Sequence, residues 1–189
     1  MFCLSLLTNR PKTQALHIIC IKIIGILDVE AGNVTLLVFA VWHKINTDPV
    51  CFGTRDEDFG SFEADKTGHI YKIKLVHLSG SVNCQGQATS TKWSCHLHSN
   101  ELNIHITDQN NIPLFPARSA INLDGNFFYQ LSGFDGNSPE IVFDSIPTPL
   151  AVTAGQKFRI WYGEDLINVT EQDNTGKSCV DVYVVYQIE

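Results

Sequence analysis

From about residue 50 onward, the apolar residues of this chain recur at every second position. Leu102, Ile104 and Ile106 alternate with Asn103, His105 and Thr107. In the same way Phe158, Ile160 and Tyr162 alternate with Lys157, Arg159 and Trp161. Successive side chains of a strand point to opposite faces, so each run predicts a strand with one buried face. Segments 70–77, 127–131, 140–143 and 180–186 are further strand candidates, separated by clusters of Gly, Pro, Asn and Asp. No window carries the repeat of an amphipathic helix. Short strands without crossover helices imply an all-β chain, and the expected architecture is an antiparallel β-sandwich of jelly-roll type.

The amino-terminal part has a different character. Arg10 and Lys12 precede an apolar stretch over 15–27, and Val29 and Ala31 suit the third and first positions before a signal-peptidase cut. Residues 1–31 are therefore expected to be a secretory signal peptide or a mis-assigned start of the chain, followed by a single β-sandwich domain over 32–189. A buried strand is the competing reading, because Lys22 interrupts the apolar stretch. The run 34–42 is too short to span a bilayer and is expected to be a buried strand, so no membrane insertion is expected.

Composition narrows the partners. Hydrophobic residues make up 44% of the chain and charged residues 17%, which excludes a disordered polymer. The formal charge is −7 and the basic residues are scattered singly. Phosphate recognition needs a clustered cationic face, so neither nucleic acid nor an anionic membrane is expected as a partner.

Cys51, Cys84, Cys95 and Cys179 lie beyond the expected signal, an even number compatible with two bridges. Two of them share one short segment, which suggests Cys84–Cys95 and, by elimination, Cys51–Cys179. Sequons at Asn33 and Asn168 would accept glycans in the secretory pathway. These clues agree on a secreted, extracellular location. His96 and His98 beside Cys95, with Cys84 or His105 as a further donor, raise zinc. Their spacing matches no standard finger or ribbon, and a bridge would remove both thiolates.

The densest chemistry lies between the last two strands. Glu164 and Asp165 leave one strand while Asp173 and Asn174 enter the next, so a hairpin would gather them at one edge of the sandwich. Calcium takes about six to eight hard oxygens from carboxylates, carbonyls and water, and these four residues are the expected metal ligands. A solvated turn is the competing reading, since Asp-Asn-Thr-Gly also suits a tight turn. The acidic run 55–58 is expected as a surface loop that would add ligands only if it lies at the same end. Trp161, expected on the face opposite Phe158 and Ile160, is a candidate for stacking on a sugar, with Asp165 and Asn174 as the other ligand-binding residues. No nucleophile elbow, phosphate loop, zincin or dinucleotide motif is present, and Glu164 and Asp165 would point to opposite faces of a strand. No enzymatic activity is expected.

Two resemblances sharpen this reading. The set CFGTRDEDFGSF at 51–62, IYKIKLVHLSGSVNC at 70–84, KWSC at 92–95, SPEIVF at 138–143 and AGQKFRIWYGEDL with DNTGKSCVDVYVVY within 154–186 resembles an uncharacterised extracellular module of cnidarian secreted and matrix proteins. That resemblance implies secretion and all-β structure. The order FRIWYGED followed by DNTGKSCVDVYV is similar to calcium-dependent galactose-binding lectins of jelly-roll type. In such lectins this stretch supplies calcium oxygens and the metal holds sugar hydroxyls, which carries over to Asp165, Asp173 and Asn174. The expected function is a secreted carbohydrate- or matrix-binding module with calcium as cofactor and glycans or extracellular matrix as partners. The alternative is a disulfide-stabilised structural matrix domain with no small ligand.

Overall fold

The computed structural model describes residues 25–30, 33–38, 41–84, 90–95, 100–122, 125–143 and 149–187. They fall in two units, Met1–Val41 and Trp42–Glu189. In the first, β1 (Gly25–Glu30) and β2 (Asn33–Val38) form an antiparallel hairpin with register from Gly25↔Val38 to Glu30↔Asn33. The strand expected over 34–42 ends at Val38, and part of the expected signal pairs with it as β1. Residues 1–24 and Ala31 lie outside the described residues.

The second unit is an all-β sandwich of two antiparallel sheets. Six strands form one sheet: β3 (His43–Lys44), β4 (Val50–Gly53), β6 (Gly68–Asn83), β9 (Glu140–Phe143), β10 (Leu150–Val152) and β12 (Thr175–Tyr186). The other holds β5 (Gly60–Glu63), β7 (Ile104–Asp108), β8 (Pro113–Phe115) and β11 (Lys157–Tyr162), in the order β5-β11-β7-β8. β6 and β12 form the long central ladder, from Thr175↔Asn83 to Tyr186↔Ile70. Ile73 and Leu75 on one strand and Val180, Val182 and Val184 on the other keep one face apolar along its length. They meet Ile104, Ile106, Phe158 and Ile160 of the opposite sheet in one fully buried core. Each such side chain contributes about 1.5–3 kcal/mol by leaving water, which fixes the register of every strand with one buried face.

Two strand expectations are corrected. The run 102–107 was read as half-buried, yet Asn103, His105 and Thr107 are as fully buried as the apolar residues between them. The outer face of the smaller sheet is covered by the segments that follow β11 and precede Tyr129. The segment 127–131 is no strand: only Tyr129 pairs, in an isolated bridge with Leu102. Phe127 has φ 64 and cannot continue an extended backbone.

Both expected bridges form, Cys51–Cys179 and Cys84–Cys95. The first joins register partners of β4 and β12. Phe128 packs against the second. Trp93 lies in the main core and donates its indole N–H to the Ser138 carbonyl at 2.7 Å.

Candidate functional site

At the end of β11 the chain does not turn straight into β12. Residues Gly163–Ile167 form a short helix, α1, closed by Asn168 in the left-handed conformation at φ 51. A single helical turn follows at Glu171–Asp173, and Asn174 then leads into β12. A helix of five residues is too short for a periodic signal, which explains why a plain hairpin was expected here. Gly163 allows this path. Its N–H donates to the Asn103 carbonyl at 2.8 Å, and a Cβ would stand 2.0 Å from Asn103 Oδ1 and 2.9 Å from His105 Nε2. The helix thus rests on the polar outer face of β7.

This turn reverses the expected geometry of the acidic pair. Glu164 and Asp165 are not on a strand pointing apart; both sit in the first helical turn and both are buried, at 3% exposure each. Glu164 Oε1 accepts from Asn126 Nδ2 at 2.6 Å and Oε2 accepts from Asn174 Nδ2 at 2.7 Å. The same Asn174 amide donates to the Thr54 carbonyl at 3.2 Å. Asp165 Oδ1 accepts the Glu57 backbone N–H at 2.9 Å. Four separate segments therefore converge: 54–58, 126, 164–165 and 171–174.

The electrostatics are those of crowded acids. Burial raises the Glu164 carboxyl, and the Asn174, Asn126 and Thr170 donors partly offset it. Burial also pushes Asp165 up to about 6, with the neighbouring Glu171 carboxyl adding to the effect. The two carboxyls lie within hydrogen-bonding reach of each other, so Asp165 gains a partner in Glu171 only when it is protonated. Apart from that contact Asp165 Oδ2 and Glu171 Oε2 are buried without a donor, as are Asn174 Oδ1 and Thr54 Oγ1.

Of the expected metal ligands, the fold brings Glu164, Asp165 and Asn174 together. Asp173 is exposed on its turn, and Glu171, not anticipated, provides the second carboxyl beside Asp165. Thr54, Asn126 and the Glu57 amide were also missed. The acidic run 55–58 had been noticed, but only strand pairing shows that it lies at this end. Trp161 is a correction. It is 2% exposed and its ring lies 4.7 Å from that of Phe59, so it offers no face to a ligand. Phe59, brought in by the acidic loop, covers it.

Among the described residues, no three His, Cys, Asp or Glu side chains come together as a metal-holding group. His96 and His98 lie outside the described residues, and Cys84 and Cys95 are bonded to each other. Asn33 opens β2. Asn168 is exposed, while the Thr170 hydroxyl of its sequon accepts from Asn126 at 3.0 Å and donates to the Val169 carbonyl at 2.8 Å.

His105, beneath α1, yields a pH prediction. Burial lowers its pKa from 6.5 to about 4, opposed by its hydrogen bond to the Phe127 carbonyl. A depressed histidine contributes stability that is complete above the unfolded-state value and is lost as pH falls through the folded-state value. The loss develops between pH 6.5 and about 4 and reaches on the order of 3 kcal/mol. Thermal melts across this window should show wild type losing more stability on acidification than His105→Gln. Parallel curves would contradict it.

No protein-family model matches the chain, and no curated protein does. Among solved structures, AJLec from the sea anemone Anthopleura japonica is similar, with 36% sequence identity and a TM-score of 0.70. The match covers 78% of this chain and 98% of that one.

Proposed function

The chain belongs to the family of AJLec, a sea anemone lectin, and on that basis we propose that it is a secreted glycan-binding module whose site is built around Glu164, Asp165 and Asn174. The observation that carries the reading to these residues is the group of buried oxygens without donors: Asp165 Oδ2, Glu171 Oε2, Asn174 Oδ1 and Thr54 Oγ1. A buried acceptor left unpaired costs about 1–3 kcal/mol, and the Asp165 and Glu171 carboxyls can satisfy each other only through a proton, so the group calls for a partner.

These oxygens fit calcium. It accepts carboxylate, amide and hydroxyl oxygens in a flexible geometry and does not need three carboxylates. Asp165, Glu171 and Asn174 would hold the ion, while Glu164, whose oxygens accept from two amides, orients the Asn174 side chain. When bound, calcium supplies a positive anchor for neighbouring hydroxyls of a sugar. The acidic residues then act by binding and orienting, which is the role of a binding module and not of an enzyme. Two disulfides suit an oxidising compartment, and among the described residues no helix is long and apolar enough to cross a membrane. Extracellular glycans, free or in matrix, are the partners in this reading, with Asn168 as a glycosylated position beside the site.

The test is retention of the full chain on immobilised glycans with calcium and with chelator, together with its thermal stability. For an affinity near ~1 mM, ~10 mM calcium adds about 1.4 kcal/mol, or roughly 3–6 °C. Asp165→Asn keeps the acceptor for the Glu57 amide and removes the repulsion from Glu171, so the variant should stay folded and lose the calcium shift. Asp173→Ala, at an exposed position, should keep it. Material from a secretory host, tested before and after glycosidase treatment, separates the site from any glycan on Asn168. No retention on any glycan would leave the alternative of a structural domain. An undiminished shift in Asp165→Asn would remove calcium from this site.

A further inference from the structure

A pyranose is polar at its hydroxyls and apolar where its ring hydrogens share one face. A site made of carboxylates and amides alone leaves that apolar face against water, whereas ligand pockets pair a few polar groups with aromatic surface. The sequence offered Trp161 for this role, and the structure buries it. Among the described residues, four aromatic side chains lie near the Glu164 segment: two are buried, one has both an aromatic ring and a guanidinium against it, and one has a single edge-on ring contact. Trp161 and Tyr162 are 2% and 0% exposed. Phe59 packs against Trp161 at 4.7 Å and carries the Arg159 guanidinium at 4.3 Å from its ring centre.

Phe127 is different. Its backbone has φ 64, a region that bulky residues seldom enter without being forced, and such strain persists only where neighbours hold it. The Phe127 carbonyl is held by His105 Nε2 at 2.9 Å, and the ring meets the His105 ring edge-on at 5.6 Å. The preceding residue, Asn126, donates to Glu164 Oε1 at 2.6 Å and to Thr170 Oγ1 at 3.0 Å. These contacts break the strand that the sequence pattern predicts over 127–131. They leave a half-buried phenyl ring one residue from the amide that binds Glu164.

We propose that Phe127 is the aromatic platform of the glycan site, on which the C–H face of a pyranose ring stacks while its hydroxyls turn toward the carboxylates. The proposal rests on the glycan-binding reading above. It also bears on the class of sugar. Asp56, Glu57, Asp58, Glu171 and Asp173 rim the same end, Lys177 is paired with Asp58 at 2.9 Å, and Arg55 donates to the Gln172 carbonyl at 3.4 Å. A field of that sign repels carboxylated and sulfated sugars, so the platform receives an uncharged pyranose.

The experiment compares wild type, Phe127→Ala, Phe127→Leu and Phe127→Tyr on immobilised neutral, sialylated and sulfated glycans, with the calcium-induced melting shift measured on each. Wild type should be retained on neutral glycans in preference to anionic ones. Phe127→Leu keeps an apolar side chain but has no ring, and both it and Phe127→Ala should bind about tenfold more weakly. Phe127→Tyr, which returns a ring, should rescue retention, and all four should show the same calcium shift. Wild-type-like retention by Phe127→Leu, or a wild type that prefers anionic glycans, would overturn the proposal. A wild type retained on no glycan would instead refute the glycan-binding reading beneath it.

Discussion

Gly176→Ala should destabilise the sandwich by about 4 kcal/mol, read as a lower denaturation midpoint at unchanged slope. Two effects add. Gly176 has φ +98, where any L side chain is strained, and its added Cβ would lie 2.2 Å from the backbone carbonyl oxygen of Ser81. That oxygen belongs to β6 opposite the start of β12, so it cannot rotate away as a side chain would; the ladder itself has to open. Because Asn174 lies two residues upstream, the variant should also lose the calcium shift and glycan retention. Gly155→Ala separates the two contributions. Its φ is +79 but nothing lies within 4 Å of the added Cβ, so it should cost about 1 kcal/mol from conformation alone. Equal losses in the two variants would show that the close approach of β6 and β12 contributes nothing.

Removing the Cys51–Cys179 bridge should have a larger effect still. Its residues are 128 apart in sequence, against 11 for Cys84–Cys95. Closing the longer loop restricts the unfolded chain more, by about 5 kcal/mol against about 3 kcal/mol. For a domain of this size the longer bridge then accounts for roughly 10–20 °C of melting temperature. The consequence reaches the site. Cys51 lies in β4, whose end runs directly into Thr54 and the acidic loop, and its partner Cys179 lies in β12 beyond Asn174. Cys51→Ala with Cys179→Ala should therefore loosen the Thr54–Asn174 contact and weaken calcium binding, whereas Cys84→Ala with Cys95→Ala should spare it. Denaturant titration and calcium titration of both double variants check this. A greater loss from the shorter bridge would show that native contacts, and not loop closure, set the order.

Five strands of the second unit, β6, β7, β9, β11 and β12, were legible because their signal is local, whereas β3, β4, β5, β8 and β10 hold two to four residues each, too few to show an alternation. An alternation such as Phe158, Ile160 and Tyr162 can be met only by a strand with one face in a core, and enough of these without helices leave a sandwich as the outcome. The pairing of the cysteines was legible for a similar reason, since proximity in sequence selects Cys84–Cys95 and leaves the other two. Where a segment meets its partners through other strands, sequence was a weaker guide. The burial of Trp161 depends on Phe59, which stands about a hundred positions away and arrives only because β5 pairs with β11. Asn103 and His105 read as the wet face of a strand until α1 and Phe127 are laid over them.

The candidate site shows the same division within a few residues. The sequence by itself marked Glu164, Asp165 and Asn174, because acids and amides crowded between two strands must end near one edge of a sandwich. It could not choose Glu171 over Asp173, since one helical turn more or less decides which carboxyl faces inward. Nor could it bring Thr54, Glu57 and Asn126 to that edge. Their approach is set by β4 pairing with β12 and by the strained turn at Phe127, contacts between distant parts of the chain that exist only once the two sheets have packed.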